Sequence, residues 1–196
     1  MRTFIIRARK GTTRWQQLRE NIGDNAHIEV VAHSVINAFF LSNAFREDVE
    51  VYIVLDSSQD FPRTIKLSSN DGLSLAGFHE DAVLTVIEKA LQNSQDLQKD
   101  QIKKIAPGIE IMGFGFEKLV SGLMETRPIY LLEPKGSHIK QTTIKTDPVF
   151  ILSDHIALPS NIVKSLKRRG ATTLSLGKAM LFASQCVVLI HHALDE

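Results

Sequence analysis

The sequence is short of the features that define several large protein classes. It contains one cysteine in 196 residues, which excludes an intramolecular disulfide framework and fits a reducing compartment. No apolar run approaches the roughly 20 residues that a membrane-spanning helix requires. The apolar part of the N-terminus is also too short for a signal peptide. We therefore expect a soluble, cytoplasmic protein without a membrane partner.

The chain also lacks an excess of either charge. Its 23 lysines and arginines nearly balance 22 acidic residues, for a net charge of +1. A molecule of this kind is not a strongly basic nucleic-acid binder, so any such role would depend on local basic clusters. No stretch rich in proline, glycine or serine divides the chain, and no repeat is visible. We expect one domain over residues 1–196, with a sizeable core from the 43% of hydrophobic residues.

Hydrophobic patterns predict alternating strands and helices, especially in the C-terminal half. This alternation is typical of βαβ units and a mainly parallel sheet, so the expected fold class is α/β. The polar stretch 93–104 is predicted to be an exposed helical connector. Strands are predicted at 3–8, 49–55, 64–67, 109–112, 128–132, within 148–155 and at 172–176, and helices at 27–42, 79–92, 116–124, 159–169 and 178–194.

The last predicted helix, 178–194, is apolar on almost every side. Only Ser184 and Gln185 interrupt its apolar surface with a narrow polar stripe. A helix that is apolar all round is normally buried. The sequence therefore predicts a C-terminus that is enclosed by other elements.

Several motifs have a chemical and a structural interpretation. Gly113-Phe-Gly115 lies between a strand and a helix, with Glu133 about 20 residues later. This layout fits either a plain turn or an incomplete dinucleotide cradle, as in the first unit of a dinucleotide-binding protein or an ordinary methyltransferase. Ser153-Asp154-His155 has the composition of a catalytic triad, but three adjacent residues diverge and cannot form the relay. Its position instead predicts a ligand-binding loop at the carboxyl end of a strand.

Polar clusters leave similar alternatives open. The pair Arg46 and Asp48 is either an exposed ion pair or a grip on a base edge. His191 and Asp195 have helical spacing, which fits a polar helix end better than a metal site, and we expect no metal. Two basic clusters are either solvated faces or phosphate-binding surfaces: Arg2, Arg7, Arg9, Lys10 and Arg14, and Lys164, Lys167, Arg168 and Arg169.

Taken together, seven blocks of sequence resemble the TrmY-type tRNA pseudouridine N1-methyltransferases of the SPOUT superfamily. The blocks occur in order over nearly the whole chain. They are Ala38-Phe-Phe-Leu-Ser42, Arg46-x-Asp48-Val49, Ala106-Pro-Gly-Ile109, Ile129-Tyr-Leu-Leu132, Pro148-Val-Phe-Ile-Leu-Ser-Asp-His-Ile156, Leu174-Ser-Leu176 and Cys186-x-x-x-Ile190-His191-x-x-Leu194-Asp195.

The resemblance implies a SPOUT-like α/β fold with helices on both faces of the sheet and a C-terminal trefoil knot over about residues 128–196. It also implies a homodimer that binds S-adenosylmethionine (SAM) in the loops of the knot. Ser153 stands where archaeal members have glycine, and the sequence after Leu132 also differs from theirs. The cofactor residues carried over by position are Leu132, Ser153, Leu174, Ser175, Leu176 and Cys186.

The activity implied by the resemblance is methylation of N1 of a pseudouridine in RNA, with tRNA as the first choice. Asp48 and Arg46 are the residues expected to hold the target base, and Asp154 is a further candidate for a base near the cofactor. The alternatives are methylation of pseudouridine or uridine in ribosomal RNA, or a non-catalytic RNA-binding dimer with the same fold.

Overall fold

A computed structural model describes residues 1–20, 28–57 and 61–196 of the chain. The strands are numbered β1–β8 and the helices α1–α5 in chain order. The strands are β1 Arg2–Ala8, β2 Val49–Leu55, β3 Arg63–Ser68, β4 Ile102–Ala106, β5 Ile109–Met112, β6 Ile129–His138, β7 Val149–Ser153 and β8 Thr172–Ser175; the helices are α1 Ile28–Phe39, α2 Glu80–Gln92, α3 Phe116–Met124, α4 Ser160–Arg168 and α5 Ala183–Asp195.

The eight strands form one sheet in the order β4-β5-β3-β2-β1-β7-β6-β8. The strands β2, β1, β7, β6 and β8 are neighbours in this order and pair in parallel. On the other side of β2, the strands β3, β5 and β4 follow in antiparallel pairing. The expected mainly parallel α/β sheet is thus confirmed. We call the side where the five parallel strands end the carboxyl edge, and the side where they begin the amino edge.

Helices cover both faces of the sheet because the central strands carry apolar side chains on both faces. In β1, Phe4 and Ile6 pack into a cluster with α1, α2 and α5, whereas Ile5 packs into a second cluster with α3 and α4. All three of these side chains are fully buried. A strand buried on both faces explains why the first strand appears in the sequence as an almost continuous apolar run.

The prediction of a helical connector at 93–104 is wrong. This stretch forms turns, followed by β4, which pairs with β5 at the end of the sheet. Pairing with β5 satisfies the backbone hydrogen-bonding groups of residues that would favour a helix in isolation. The tertiary contact therefore overrides the local helix propensity. Lys103 and Lys104 suit this position because charged side chains protect an edge strand from further pairing.

The C-terminal helix is also less enclosed than its sequence predicts. It begins at Ala183 instead of residue 178, and it packs one face against α1 through residues such as Val187 and Ile190. On its other face Val188 is 48% exposed and Leu189 is 37% exposed. Complete burial is therefore wrong for the single chain, because no element among the described residues covers that face. The trefoil knot over about 128–196 stays a prediction.

Candidate cofactor site at the carboxyl edge

The ends of three neighbouring strands bring most of the predicted cofactor residues together. Leu132 of β6 pairs in register with Leu174 of β8, and β7 ends at Ser153 on the other side of β6. Ser175 and Leu176 follow directly at the end of β8. All five residues therefore lie at the carboxyl edge, where open α/β sheets bind ligands.

A backbone arch after Leu132 shapes this part of the edge. The pairing of β6 with β8 jumps from Leu132 to Ser137, both opposite Leu174, so residues 133–136 leave the sheet and return. Gly136 crosses β8 so closely that a Cβ atom there would lie 2.6 Å from the carbonyl carbon of Leu174. The sequence analysis assigned only Leu132 of this segment to the cofactor site. Pro134 and Gly136 could have indicated the irregular loop, because both residues interrupt regular strand pairing.

The turn after β8 is held by its own side chain and backbone. The Oγ atom of Ser175 accepts a hydrogen bond from the N–H of Gly177 at 3.2 Å and lies 3.3 Å from the Gly177 carbonyl oxygen. Gly177 has a φ of +123°, which favours glycine. Because Leu174 is fully buried and Ser175 nearly so, this turn can offer a ligand mainly backbone groups.

The start of α5 supplies the apolar part of the same region. Cys186 is in the first two turns of the helix and packs, with Leu132 and Leu176, against the margin of the main core. Burial raises the pKa of the Cys186 thiol to about 11, so it stays neutral and acts as a small apolar side chain. Backbone donors and acceptors next to partly buried apolar side chains fit the adenine ring and polar groups of SAM.

Asp154 lies beside this site but is engaged in the turn that ends β7. Its side chain is completely buried, and Oδ1 accepts a hydrogen bond from the N–H of Ile156 at 2.7 Å. Its own N–H donates to the carbonyl oxygen of Arg7 at 3.1 Å. These contacts make Asp154 a structural residue of the loop. Its role as a base stays a prediction.

Asp48 and Arg46 lie at the opposite, amino edge of the sheet. Asp48 immediately precedes β2, whose first residue is level with Arg2 of β1, whereas Ser153 is level with Arg7. At about 3.3 Å per residue, Asp48 and Ser153 are separated by roughly 20 Å along the strands. One chain therefore does not bring the predicted base-binding pair to the predicted cofactor residues.

Each residue of this pair has a defined contact. Asp48 has a left-handed backbone with φ 57°, and its carboxylate accepts from Nδ2 of Asn70 at 2.7 Å while its N–H donates to Oδ1 of Asn70 at 3.0 Å. The guanidinium of Arg46 forms an ion pair with Asp195 at 2.8 Å. The predicted function of both residues stays a prediction.

The ion pair of Arg46 belongs to a polar cluster that attaches the C-terminal helix to the start of β1. Arg2 contacts Asp195 at 2.6 Å and its Nη1 donates to Nδ1 of His191 at 3.0 Å, while Nε2 of His191 donates to the Ala38 carbonyl oxygen at 3.1 Å. Burial, together with the cations Arg46 and Arg2, lowers the pKa of His191 to about 4. The two arginines hold the pKa of Asp195 at about 2. His191 and Asp195 are thus the polar end of a packed helix.

Gly113 and Gly115 are explained by close packing. A Cβ atom at Gly113 would lie 2.2 Å from the carbonyl oxygen of Gln98, and one at Gly115 would lie 2.7 Å from the carboxylate of Asp56. Asp56 thus places a negative charge beside the N-terminus of α3, and this charge disfavours binding of a phosphate there. Glu133 forms an ion pair with Lys167 at 2.5 Å. The structure thus favours the plain turn over the dinucleotide cradle.

The first basic cluster of the sequence is divided between the two edges. Arg2 is engaged at the amino edge, whereas Lys10 and Arg14 are exposed near the carboxyl edge. A cavity of about 320 Å³ near the start of β3 is lined by Arg14, Trp15 and Phe61 among others. Basic and aromatic side chains of this kind suit a single-stranded nucleic acid.

Within residues 1–20, 28–57 and 61–196, no group of three or more histidine, cysteine or acidic side chains is arranged to hold a metal ion. No helix of the described part of the chain is long and apolar enough to cross a membrane.

Comparison with known proteins identifies the family to which the chain is similar. A family model described as "Putative SAM-dependent RNA methyltransferase" matches residues 1–196. A protein of Photobacterium profundum, named "Putative pseudouridine methyltransferase", is 47% identical over 195 residues, which cover 100% of this chain and 98% of the relative. A protein of Vibrio campbellii with the same name is 44% identical over the same coverage.

A solved structure supports the fold. The crystal structure of Archaeoglobus fulgidus Nep1 bound to S-adenosylhomocysteine aligns with a TM-score of 0.66 at 12% identity, covering 98% of this chain and 96% of that one. This similarity confirms the expected SPOUT-like architecture. Because the family model and the relatives cover the full length, the chain belongs to the family of SAM-dependent RNA methyltransferases.

Proposed function

We propose that this methyltransferase transfers the methyl group of SAM to N1 of a pseudouridine, with tRNA as the first-choice substrate. The observation that carries the proposal is the meeting of Leu132, Ser153 and Leu174 at one edge, next to the arch closed by Gly136. The names of the relatives and the S-adenosylhomocysteine bound to Nep1 support the same chemistry.

The cofactor would be held by the loops after β6, β7 and β8 and by the start of α5. When bound, SAM supplies an electrophilic methyl group on a positively charged sulfur. The protein must then bring N1 of the base within about 3–3.5 Å of the methyl carbon. It must also favour loss of the N1 proton, since the neutral base is a poor nucleophile. The site residues assigned to the cofactor are Leu132, Ser153, Leu174, Ser175, Leu176 and Cys186.

We also propose that the enzyme is a homodimer in solution. The outer face of α5 exposes Val188 and Leu189, and the segment before the helix exposes Met180 and Phe182. Several exposed large apolar side chains on one helix and the segment before it are typical of a protein interface. A second copy of the chain would bury the helix on all sides, as its sequence pattern predicts.

A dimer also offers a way for Asp48 and Arg46 to contribute to catalysis. Because the pair lies roughly 20 Å from the cofactor residues of its own chain, it could hold the base only at the cofactor site of the partner. Each active site would then combine the loops of one chain with the Arg46–Asp48 turn of the other.

The first test is calorimetric titration with SAM of the wild type, the Leu132→Arg variant and the Ile102→Arg variant. Ile102 is 58% exposed and lies in β4, at the end of the sheet opposite β8, so it gives an exposed apolar-to-arginine substitution far from the site. We expect micromolar binding, worth roughly 8 kcal/mol, for the wild type and the Ile102 variant only. Equal binding by all three proteins would place the cofactor elsewhere.

The second test mixes two inactive variants. A Leu132→Arg chain keeps Asp48, and an Asp48→Asn chain keeps the cofactor loops; asparagine tolerates the left-handed backbone at this position. If the site is shared, a mixed dimer has one complete site, and transfer of a labelled methyl group to tRNA should recover to about a quarter of the wild-type rate after equal mixing. No recovery would show that Asp48 does not act across a dimer.

The RNA is identified by comparing methyl transfer to tRNA and to ribosomal RNA fragments that contain pseudouridine or uridine at one position. Transfer to ribosomal RNA alone would replace tRNA as the substrate. An enzyme that binds RNA but transfers no methyl group to any of these, and for which Asp48→Ala changes nothing, would be a non-catalytic RNA-binding dimer.

A further inference from the structure

Arg7 and Asp56 form a buried ion pair where β1 and β2 end at the carboxyl edge. Nε and Nη2 of Arg7 both donate to Oδ2 of Asp56, at 2.8 and 2.6 Å. The two side chains are only 12% and 16% exposed. A buried ion pair often stabilises a fold no better than apolar side chains of similar volume would. A pair in this position therefore calls for a role in addition to stability.

The guanidinium of Arg7 is held by Asp56 and by an aromatic ring. Its central carbon lies 4.4 Å from the centre of the Phe116 ring. The backbone is also held, because the carbonyl oxygen of Arg7 accepts from the N–H of Asp154 at 3.1 Å and that of Ala8 accepts from the N–H of Asp56 at 3.0 Å. A cation whose position is fixed before the ligand arrives is the kind of group that stabilises charge developing in a reaction.

One donor of this guanidinium is not used within the protein. Nη1 of Arg7 is buried, and it has no hydrogen-bond partner among residues 1–20, 28–57 and 61–196. Unused buried donors are rare in folded proteins, because their lost hydration is not compensated. Arg7 is directly opposite Ser153 in the pairing of β1 with β7. The backbones of Arg7 and Ser153 are therefore neighbours, one strand spacing of about 4.8 Å apart, so Arg7 and the proposed cofactor loop lie at the same edge of the sheet.

We propose that Nη1 of Arg7 donates a hydrogen bond to the C2 carbonyl oxygen of the target base, and that Asp56 positions Arg7 for this contact. This inference rests on the proposed function. The lone pair of N1 bonds to the methyl carbon, the electron pair of the broken carbon–sulfur bond stays on sulfur, and the N1 proton goes to water. The negative charge left on N1 by proton loss is shared with the adjacent carbonyl oxygen, where a guanidinium stabilises it. Nη1 is covered in the chain alone, so the base reaches it with a local shift of the covering side chains.

The chain contains a matched control for this ion pair. Arg127 and Glu50 form a second buried pair, with Nη1 of Arg127 3.0 Å from Oε2 of Glu50 and side chains 13% and 6% exposed. Glu50 is level with Thr3 of β1 and lies on the sheet face covered by α3 and α4, opposite the face that carries α5 and its partner Arg46. Arg127→Lys therefore reports what shortening a buried arginine does to the fold alone.

The experiment measures kcat, the KM for SAM and the pH dependence of kcat, on RNA hairpins that carry a single pseudouridine. We expect Arg7→Lys to lower kcat by about 100-fold to 1000-fold, as for loss of one charge-stabilising donor, while SAM binding is retained. The rise of kcat with pH should move to higher pH, because loss of the guanidinium makes the N1 proton harder to remove. Asp56→Asn should also lower kcat, and Asp56→Glu should restore much of it. Arg127→Lys should leave kcat and the pH profile unchanged.

A double variant, Arg7→Met with Asp56→Leu, covers the case in which Arg7→Lys does not fold. It removes both charges together, so it should fold and bind SAM but transfer methyl groups at least 100-fold more slowly, as the loss of that donor requires. Wild-type kcat and pH profile in either folded Arg7 variant would overturn the role of Arg7. A wild-type enzyme that methylates no pseudouridine would instead refute the proposed function, so the two failures are distinguishable.

Discussion

His191 makes the stability of this protein dependent on pH in a predictable direction. Its ring is buried between the Ala38 carbonyl oxygen and Arg2, with Arg46 and Asp195 as the other charged groups close to it. The pKa is about 4 in the folded chain, compared with about 6.5 for histidine in an unfolded chain. The folded state therefore binds fewer protons than the unfolded state between these values.

The sign and size of the effect follow from this difference. The stabilisation is fully present above pH 6.5 and is lost as the pH falls toward 4, because protonation favours the unfolded chain. One pKa unit corresponds to about 1.4 kcal/mol, so the whole difference is worth about 3 kcal/mol. Between pH 7 and pH 5 we expect the free energy of unfolding to fall by about 2 kcal/mol on account of this one side chain.

The assay compares urea unfolding of the wild type, His191→Gln and His192→Gln at pH 7, 6 and 5, at one protein concentration. Glutamine can donate to Ala38 and accept from Arg2 without titrating, so His191→Gln should lose about 2 kcal/mol less than the wild type over this range. His192 is the exposed neighbour, and its replacement should leave the pH dependence unchanged. Equal pH dependence in wild type and His191→Gln would refute the assignment of His191 as a neutral buried ring.

Three further predictions test the backbone contact of Gly136, the turn at Gly113 and the proposed dimer interface. Gly136→Ala should weaken SAM binding and lower the free energy of unfolding by about 1–3 kcal/mol, because its Cβ would meet the Leu174 backbone. In the control Gly122→Ala the added Cβ meets nothing within 4 Å. This control should raise the free energy of unfolding by about 0.5–1 kcal/mol in thermal unfolding. Gly113→Ala should destabilise the fold by overlap with Gln98, and a stable variant that loses nucleotide binding would favour the phosphate cradle instead. Leu189→Glu should convert a dimer to monomers in analytical ultracentrifugation, whereas an unchanged mass would exclude α5 from the interface.

The fold was largely predictable because its elements are signalled locally. The strand at 49–55 and the helix at 116–124 have the predicted bounds. In each case an apolar pattern of one period ends at polar or turn-forming residues, and no distant contact is needed to set the limits. The stretch 93–104 was not predictable in this way, because β4 depends on hydrogen bonds to β5 and not on its own composition.

The parts of the site follow the same division. The resemblance identified residues at the ends of β6, β7 and β8, and each strand end was visible in the pattern. The arch at Gly136 and the pair of Arg7 with Asp56 were not predicted, because each depends on backbone or side-chain contacts between strands far apart in sequence.

The sequence by itself determined the α/β class, the order of most elements and the family, since apolar periodicity and ordered blocks are properties of the chain. Only the tertiary structure decided which charged residues share an edge. It placed Arg46 and Asp48 at the amino edge and the cofactor residues at the carboxyl edge. The physical reason is that strand direction and pairing register fix the end of the sheet to which each loop belongs, and neither can be read from one segment alone.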